Sequence, residues 1–147
     1  MDWKGKRVVI IGAARQGLAL AEYAAAKGAQ VVVNDARPAE QLAEAQQRLE
    51  ALPVEWALGG HPSSLLQETD FLAPSGGVPS DLPLIVEARR KGIPVTNDSH
   101  LFLEASPATV IGITGSSGKT TTTTLVGRIL RHMDGATVWI GGNIGHP

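Results

Sequence analysis

The chain lacks cysteine, has few aromatic residues and carries almost no net charge. Without cysteine it can form no disulfide bond, no thiolate metal site and no cysteine nucleophile. Three tryptophans, one tyrosine and two phenylalanines are too few for the stacking platforms that bind single-stranded nucleic acids. The 13 basic and 14 acidic residues give a formal charge of −1. This balance excludes a polybasic chain that binds nucleic acid or an anionic membrane through bulk charge.

Long apolar runs are missing as well. The apolar run near the N-terminus, Val8–Ile11, is four residues long, which is shorter than the core of a signal peptide. No stretch approaches the roughly 20 apolar residues that a membrane-spanning helix needs. We therefore expect a cytoplasmic protein whose partners include neither membrane nor nucleic acid.

Glycine, in contrast, is abundant, at 17 of 147 residues. That share is about 12%, against a usual value of about 7%. Hydrophobic residues make up 43% of the chain and charged residues 18%, so the chain can bury a core. The excess glycine indicates that some part of the fold needs backbone freedom or a close approach of the backbone.

Short β-branched segments alternate with helical segments, which predicts an α/β fold with a parallel, doubly wound sheet. The predicted strands are Val8–Ile11, Gln30–Val33, Val54–Leu58, Asp70–Ala73 and Pro94–Thr96. The predicted helices are Gly17–Lys27, Ala39–Leu52 and Leu82–Lys91. Right-handed crossovers place the turns that follow the strands at one edge of the sheet, where such sheets bind ligands.

After Pro107 the pattern restarts, which predicts a boundary between residues 1–105 and residues 106–147. The second part is predicted to contain a strand at Thr109–Ile113, a helix at Gly118–Met133 and a strand at Thr137–Ile140. The buried face of its helix is predicted to consist of Leu125, Val126, Ile129 and Leu130. A unit of about 40 residues cannot close its own core. We expect it to dock on the first part, to pair with another copy of the chain or to be partly disordered.

The first glycine-rich loop, Gly12–Gly17, joins the first strand to the first helix and approximates G-x-G-x-x-G. This pattern places backbone N–H groups and a helix N-terminus beside a diphosphate. Asp35 follows Gly12 by 23 residues, near the place where dinucleotide folds put an acidic residue for the ribose hydroxyls. Ala14 replaces the second glycine and disfavours NAD, because its methyl group crowds the pyrophosphate. A tight turn without a ligand is the alternative.

The second loop, Thr114–Thr120, lies between a β-branched segment and a helix, which is the context of a P-loop. It is a short variant, G-x-x-G-K-T, because Ile113 stands where the longer motif has glycine. Lys119 can bridge the β- and γ-phosphates of a nucleoside triphosphate, and the Thr120 hydroxyl can ligate Mg²⁺. The alternative is a glycine-rich turn with a solvated lysine.

A third glycine cluster, Gly141–Gly145, includes Asn143, which offers hydrogen-bond donors and an acceptor. A contact with substrate and a plain turn are equally compatible with this cluster. The four histidines have no metal-ligand spacing. Surface or turn roles are predicted for His61, His100 and His132, and His146 is the exception because it lies beside Asn143 on the ligand edge. The tryptophans are interpreted as packing residues: Trp3, Trp56 and Trp139.

Several strings, in order along the whole chain, resemble the Mur ligases, which build the peptide of bacterial peptidoglycan. They are Val9–Gly12 with Gly17, Asn34–Arg37, Ser75–Pro79, Asp98 with Leu101-Phe102, Gly112–Thr121 and Gly141–Pro147. The short P-loop is shared by the Mur and folylpolyglutamate ligases. The Ser75–Pro79 turn and the Gly141–Gly145 string are similar to the D-glutamate-adding branch.

The resemblance implies an ATP-dependent acid–amino-acid ligase. ATP would phosphorylate the terminal carboxylate of a UDP-linked muramoyl-L-alanine, and D-glutamate would attack the acyl phosphate. The implied UDP-substrate contacts are Ala14, Arg15, Gln16, Asp35, Ala36, Arg37, Ser75, Gly76 and Asn143. The implied ATP-phosphate contacts are Gly115, Ser116, Ser117, Gly118, Lys119, Thr120 and Thr121. Lys119 and Thr120 would be catalytic, with Mg²⁺ on Thr120.

The resemblance also implies a Rossmann-like UDP-binding domain over residues 1–105 and the truncated start of a P-loop, ATP-binding central domain over residues 106–147. Mur ligases have three domains and are much longer, so we expect these 147 residues to bind nucleotide without ligating. The parent enzyme is expected to be a monomer. Two alternatives stay open: a nicotinamide-dinucleotide domain of an oxidoreductase, which needs no second phosphate loop, and a non-catalytic nucleotide-binding module.

Overall fold

A computed structural model describes residues 2–142 of the chain, which divides into two compact units, Met1–Ala105 and Ser106–Pro147. The first unit contains a sheet of four parallel strands in the order β3-β2-β1-β4. These strands are β1 (Arg7–Ile11), β2 (Gln30–Asp35), β3 (Val54–Leu58) and β4 (Phe71–Pro74). Strand β1 is buried on both faces, which explains its uninterrupted run of apolar residues, Val8–Ile11. The predicted parallel sheet is confirmed.

Helices cover both faces of this sheet, as a doubly wound fold requires. The helices of the first unit are α1 (Arg15–Ala26), α2 (Ala43–Arg48), α3 (Pro83–Arg90) and α4 (Asp98–Ala105). On one face, side chains of α1, α2 and α4 pack against Val31 and Val33 of β2. On the other face, α3 and a 3-10 helix at Ser63–Leu66 pack against Val32. Alternate residues of a strand therefore enter two different cores.

Trp3 packs edge-on against two other aromatic rings. Its ring centroid lies 5.5 Å from that of Tyr23 in α1 and 5.2 Å from that of Phe71 in β4. Such edge-to-face pairs are favourable beyond the area that they bury. Trp56 is half-buried, but Trp139 is 89% exposed, so its predicted packing role is wrong.

Two predicted elements of the first unit differ from the structure. The predicted helix Ala39–Leu52 consists of a 3-10 helix at Ala39–Gln41 followed by α2. Leu42 between them has φ −121° and ψ 17°, outside the helical region, and its side chain is buried. Burial of this side chain outweighs the continuous helix that the periodicity predicted.

The predicted strand Pro94–Thr96 pairs with β4 only through a single bridge between Leu72 and Val95. The backbone of Leu72 donates to Pro94 and accepts from Thr96, both at 2.9 Å. Pro94 itself has no N–H to extend the ladder. Helix α4, which follows directly and buries Leu101, was not predicted.

In the second unit the structure describes one helix, α5 (Lys119–Leu130), and no strand within residues 106–142. The predicted strands Thr109–Ile113 and Thr137–Ile140 are therefore wrong, because a strand exists only through hydrogen bonds to a neighbouring strand. Of the predicted buried face, Leu125 is 53% and Ile129 68% exposed, and Val126 and Leu130 are half-buried. So small a unit cannot exclude water from its apolar side chains.

None of the helices within residues 2–142 combines the length and the apolar character that crossing a membrane requires.

Among the glycines within residues 2–142, Gly17 leaves the least room for a side chain. A Cβ there would overlap the carbonyl oxygen of Gly12 and lie 2.8 Å from Ser75 Oγ. We expect Gly17→Ala to lower the free energy of unfolding by about 1–3 kcal/mol, as other overpacked sites do. Urea denaturation measures this change. Gly77→Ala is the control, because a Cβ at Gly77 meets nothing within 4 Å. Equal stability of the two variants would contradict the close contact.

Candidate functional site

The carboxyl ends of the four parallel strands meet at one edge of the sheet. In the order β3-β2-β1-β4, the connections turn in opposite directions on the two sides of β1. Open α/β sheets bind ligands at such a switch point, here between β1 and β4. The predicted UDP-site residues of the described chain all lie on a strand end, the loops or the helix start at this edge: Ala14, Arg15, Gln16, Asp35, Ala36, Arg37, Ser75 and Gly76. We call this region the carboxyl edge.

Helix α1 starts at the carboxyl edge without a cap. Its N-cap residue, Ala14, makes no side-chain hydrogen bond, and its first turn contains no acidic residue. The first N–H groups of a helix have no partner within the helix and carry the positive end of its dipole. Ala14 and Arg15 are exposed, so the first residue of the helix and its cation face solvent. This arrangement suits an anion such as a diphosphate.

The loops after β1 and β4 contact each other beside α1. Gly12 has φ +99°, a conformation that favours glycine, and a Cβ there would lie 3.2 Å from Ser75. The Ser75 hydroxyl donates to the Gly12 carbonyl at 3.1 Å. Gln16 Oε1 lies beside Gly76, 3.4 Å from where its Cβ would be. The structure therefore brings two of the predicted segments into direct contact.

Asp35, at the end of β2, connects three parts of the carboxyl edge. Its Oδ1 accepts from the N–H and the Nε of Arg37, both at 2.9 Å. Its Oδ2 accepts from the N–H of Ala13 and from Arg37 Nη2, both at 2.8 Å. A carboxylate has about four acceptor sites, so all of those on Asp35 are occupied by the protein itself.

The burial and the pKa of Asp35 are consistent with a carboxylate that binds other parts of the protein. Asp35 is only 8% exposed. Hydrogen bonds from the Arg37 side chain, together with backbone N–H donors, hold the pKa of the carboxyl well below its usual range, although burial opposes the shift. The side chain of Arg37 stays 47% exposed. Asp35 thus keeps no acceptor for ribose hydroxyls, unlike the acidic residue of dinucleotide folds, and instead presents an oriented guanidinium.

Asn34 is the buried polar residue that sequence reasoning missed. It is fully buried, and its Nδ2 donates to the carbonyls of Ala57 at 2.6 Å and Gly60 at 2.7 Å. Its Oδ1 pairs with Nδ1 of His61. The signal in the sequence was an amide at the end of an otherwise apolar strand. Its partners could not be identified because they lie 23 to 27 residues away.

In the second unit the predicted phosphate loop leads into α5. Gly118 has φ +76° and precedes the first residue of the helix, which has no side-chain cap. Lys119 Nζ donates to the carbonyl of Gly115, so the lysine folds over its own loop. The hydroxyls of Thr123 and Thr124 bond to the backbone carbonyls four residues earlier. The second half of the threonine run is therefore committed to the helix.

Thr120 fits a magnesium–nucleotide complex better than a metal site made by protein alone. Its hydroxyl makes no hydrogen bond within residues 2–142. Mg²⁺ keeps several waters and takes its other ligands from carboxylates and phosphates, so this hydroxyl can supply one ligand among several. No group of three or more histidine, aspartate or glutamate side chains suited to a metal occurs in the described part of the chain. Asn143, which the resemblance places at the substrate, and His146 beside it lie outside the described residues.

The four hydrogen bonds to Asp35 lead to a stability prediction. Because bonds to a charged group each contribute about 1.5–3 kcal/mol, we expect Asp35→Asn to lower the free energy of unfolding at pH 7 by about 2 kcal/mol. The folded pKa lies below the unfolded one, so this advantage is complete above the unfolded pKa and is lost as the pH falls through the folded pKa. Urea denaturation at pH 7 and in acid measures both effects. Asp81→Asn, at an exposed position, is the control; a deficit independent of pH would contradict the assignment.

Comparison with known proteins agrees with this geometry. Residues 6–97 match the family described as Mur ligase MurD-like, N-terminal domain. The chain is 43% identical over 144 residues to the UDP-N-acetylmuramoylalanine–D-glutamate ligase of Geobacillus kaustophilus, covering 97% of this chain and 32% of the relative. It therefore spans about a third of the length of the curated relatives that it matches.

Solved structures show the same fold. A pseudomurein peptide ligase type C from Methanothermus fervidus matches with a TM-score of 0.59 and 26% identity, over 88% of this chain and 28% of that one. UDP-N-acetylmuramate–alanine ligase from Thermotoga maritima matches with a TM-score of 0.54 and 27% identity, over 93% of this chain and 32% of that one. The parallel sheet, the uncapped helix at its carboxyl edge and these matches together show that the chain belongs to the Mur ligase family, with a MurD-like N-terminal domain.

Proposed function

We propose that the first unit binds the UDP end of a UDP-linked muramoyl-L-alanine. We further propose that the loop before α5 binds the phosphates of ATP in the ligase that joins this substrate to D-glutamate. The observation that carries the proposal is the carboxyl edge, where the uncapped start of α1 lies at the switch point of the sheet. The relatives that are 40–43% identical to this chain are named as ligases of UDP-N-acetylmuramoylalanine and D-glutamate.

The diphosphate is proposed to lie at the start of α1. The free N–H groups of the first turn would donate to its oxygens, and the exposed Arg15 would add positive charge. The uridine is proposed to lie toward Ala36 and Arg37, since Asp35 fixes the guanidinium at the same edge. Ser75 and Gly76 would close the nucleotide from the β4 side, where Ser75 already contacts Gly12.

Asp35 disfavours the alternative of a nicotinamide-dinucleotide domain. Such a domain uses the acidic residue after its second strand to bind ribose hydroxyls. Here that carboxylate is saturated by Ala13 and Arg37. A second phosphate loop at Gly115–Thr120 is also unnecessary for hydride transfer.

ATP is proposed to bind with its β- and γ-phosphates over the Gly115–Thr120 loop. Lys119 would exchange the Gly115 carbonyl for phosphate oxygens, which its three ammonium hydrogens permit. When bound, Mg²⁺ supplies charge neutralisation of the transferring phosphoryl group. Thr120 would hold the ion, and Lys119 would stabilise the charge that develops as the substrate carboxylate attacks the γ-phosphorus and ADP leaves with the β,γ-bridging oxygen. D-Glutamate would then displace phosphate from the acyl phosphate.

The UDP site can be tested by calorimetry with UDP alone. We expect the 147-residue chain to bind UDP and Arg15→Ala to weaken binding about 5-fold, because a partly exposed charged contact contributes on the order of 1 kcal/mol. Arg90→Ala is the matched control, since Arg90 ends α3. Lys119→Ala should also leave UDP affinity unchanged. Absence of binding by the unmodified chain would refute the proposed UDP site.

The ATP site and the whole reaction can be tested together. We expect binding of Mg²⁺–ATP that Lys119→Ala abolishes, since the lysine is the only cation of the loop. With UDP-linked muramoyl-L-alanine and D-glutamate added, we expect no phosphate release from the 147 residues alone, which span about a third of the relatives' length. Turnover in this assay would refute the second expectation, and equal ATP binding by Lys119→Ala would refute the first.

A further inference from the structure

The Asn34–His61 pair has a fixed hydrogen-bond direction. Asn34 Nδ2 donates both of its hydrogens, one to the carbonyl of Ala57 and one to that of Gly60. Its Oδ1, which can only accept, pairs with Nδ1 of His61. Nδ1 of the imidazole must therefore carry a hydrogen. In the neutral ring, Nε2 is then an acceptor.

This imidazole is attached to the segment proposed to hold the uridine. The N–H of Gly59 donates to the carbonyls of Asp35 and Arg37, both at 3.0 Å. His61 follows two residues later at the carboxyl edge and is half-buried. Within residues 2–142, its Nε2 has no hydrogen-bond partner.

Every polar atom of the buried Asn34 side chain is bonded, so its burial is compensated. Two of its bonds hold the backbone of β3 and of the loop that follows, and the third holds the His61 imidazole in one orientation. The two backbone bonds do not require a histidine at position 61. The third bond gives the outward nitrogen of His61 a defined place at the carboxyl edge.

The chemistry of the edge indicates what that nitrogen would bind. The start of α1, Arg15 and Arg37 all present donors, which suit phosphate oxygens. A nucleoside also carries donors of its own, the ribose hydroxyls and the N3–H of uracil. At the end of β2, Asp35 is saturated and Asn34 Oδ1 is occupied by His61. Beside these two saturated side chains, Nε2 of His61 is an acceptor that has no partner within residues 2–142.

We propose that His61 is a nucleoside-binding residue. Asn34 anchors its Nδ1, and its Nε2 accepts a hydrogen bond from the ribose or the base of the bound nucleotide. This proposal rests on the proposed UDP site. A purely structural histidine would need only its Nδ1–H, so the two roles can be separated by variants that keep one nitrogen at a time.

His61→Asn keeps an N–H at the position of Nδ1 and lacks Nε2, whereas His61→Gln places its amide at the position of Nε2. We expect His61→Asn to keep a melting temperature close to that of the unmodified chain and to bind UDP about 5- to 10-fold more weakly, the loss of one hydrogen bond. We expect His61→Gln to melt at a lower temperature and to retain more of its affinity. Unchanged UDP affinity in a folded His61→Asn would overturn the proposal.

Three modified nucleotides identify the donor. We expect 2′-deoxy-UDP, 3′-deoxy-UDP or 3-methyl-UDP to bind the unmodified chain more weakly than UDP, and that difference to disappear in His61→Asn. If all three analogues lose as much affinity in the variant as in the unmodified chain, His61 contacts none of these donors and the proposal fails.

The contact between His61 and the nucleotide can also be tested on the unmodified chain, without any variant. In nitrogen NMR of histidine-labelled protein, UDP should shift the Nε2 resonance of His61 and leave Nδ1 almost unchanged. An unshifted Nε2 under saturating UDP would overturn the proposal while the UDP site itself stands. No binding of UDP at all would instead refute the proposed function, and this inference with it.

Discussion

Two neighbouring polar side chains at the end of β2 hold the carboxyl edge together. Successive residues of a strand point to opposite faces, so Asp35 and Asn34 lie on opposite sides of the sheet. Asp35 binds the loop after β1 through Ala13, and Asn34 binds the loop after β3 through Gly60 and His61. Asp35 also binds Arg37 in the loop after β2. The end of β2 thus fixes the loops after β1, β2 and β3 relative to one another.

This arrangement explains why the loop after β1 differs from a dinucleotide loop despite its similar sequence. The N–H of Ala13 donates to Asp35 and is not available to a phosphate. The donors left for an anion are those of the first turn of α1, farther along the loop. The same glycine spacing therefore supports a different distribution of contacts, with Arg37 in the place where a dinucleotide domain would use a free carboxylate.

Much of the first unit could be predicted from local pattern. The β-branched runs at Val8–Ile11 and Val31–Val33 are buried on both faces, and such strands have a distinctive composition. The helix division at Leu42 and the bridge at Val95 could not be predicted, because both depend on tertiary contacts. In the second unit, the strand pattern of residues 109–113 was present without a neighbouring strand to realise it.

The candidate site also divides into features that local pattern predicts and features that depend on tertiary contacts. The predicted site residues in segments 14–16, 35–37 and 75–76 reach one edge because strand ends in a parallel sheet converge there. The pairing of Asn34 with His61 joins residues 27 positions apart, and no periodicity or spacing encodes it. The resemblance to Mur ligases supplied the ligand classes, whereas the saturation of the Asp35 carboxylate became visible only in three dimensions.

The three tryptophans have three different surroundings, so their intrinsic fluorescence distinguishes parts of the chain. Trp3 is enclosed by Tyr23 and Phe71, Trp56 lies half-buried in β3, and Trp139 is almost fully exposed in the other unit. An aqueous quencher reaches Trp139 first and Trp3 last. Emission that resists quenching therefore reports the core beneath α1, and emission that is quenched readily reports the second unit. A single quenching titration therefore separates the emission of the buried Trp3 from that of the exposed Trp139.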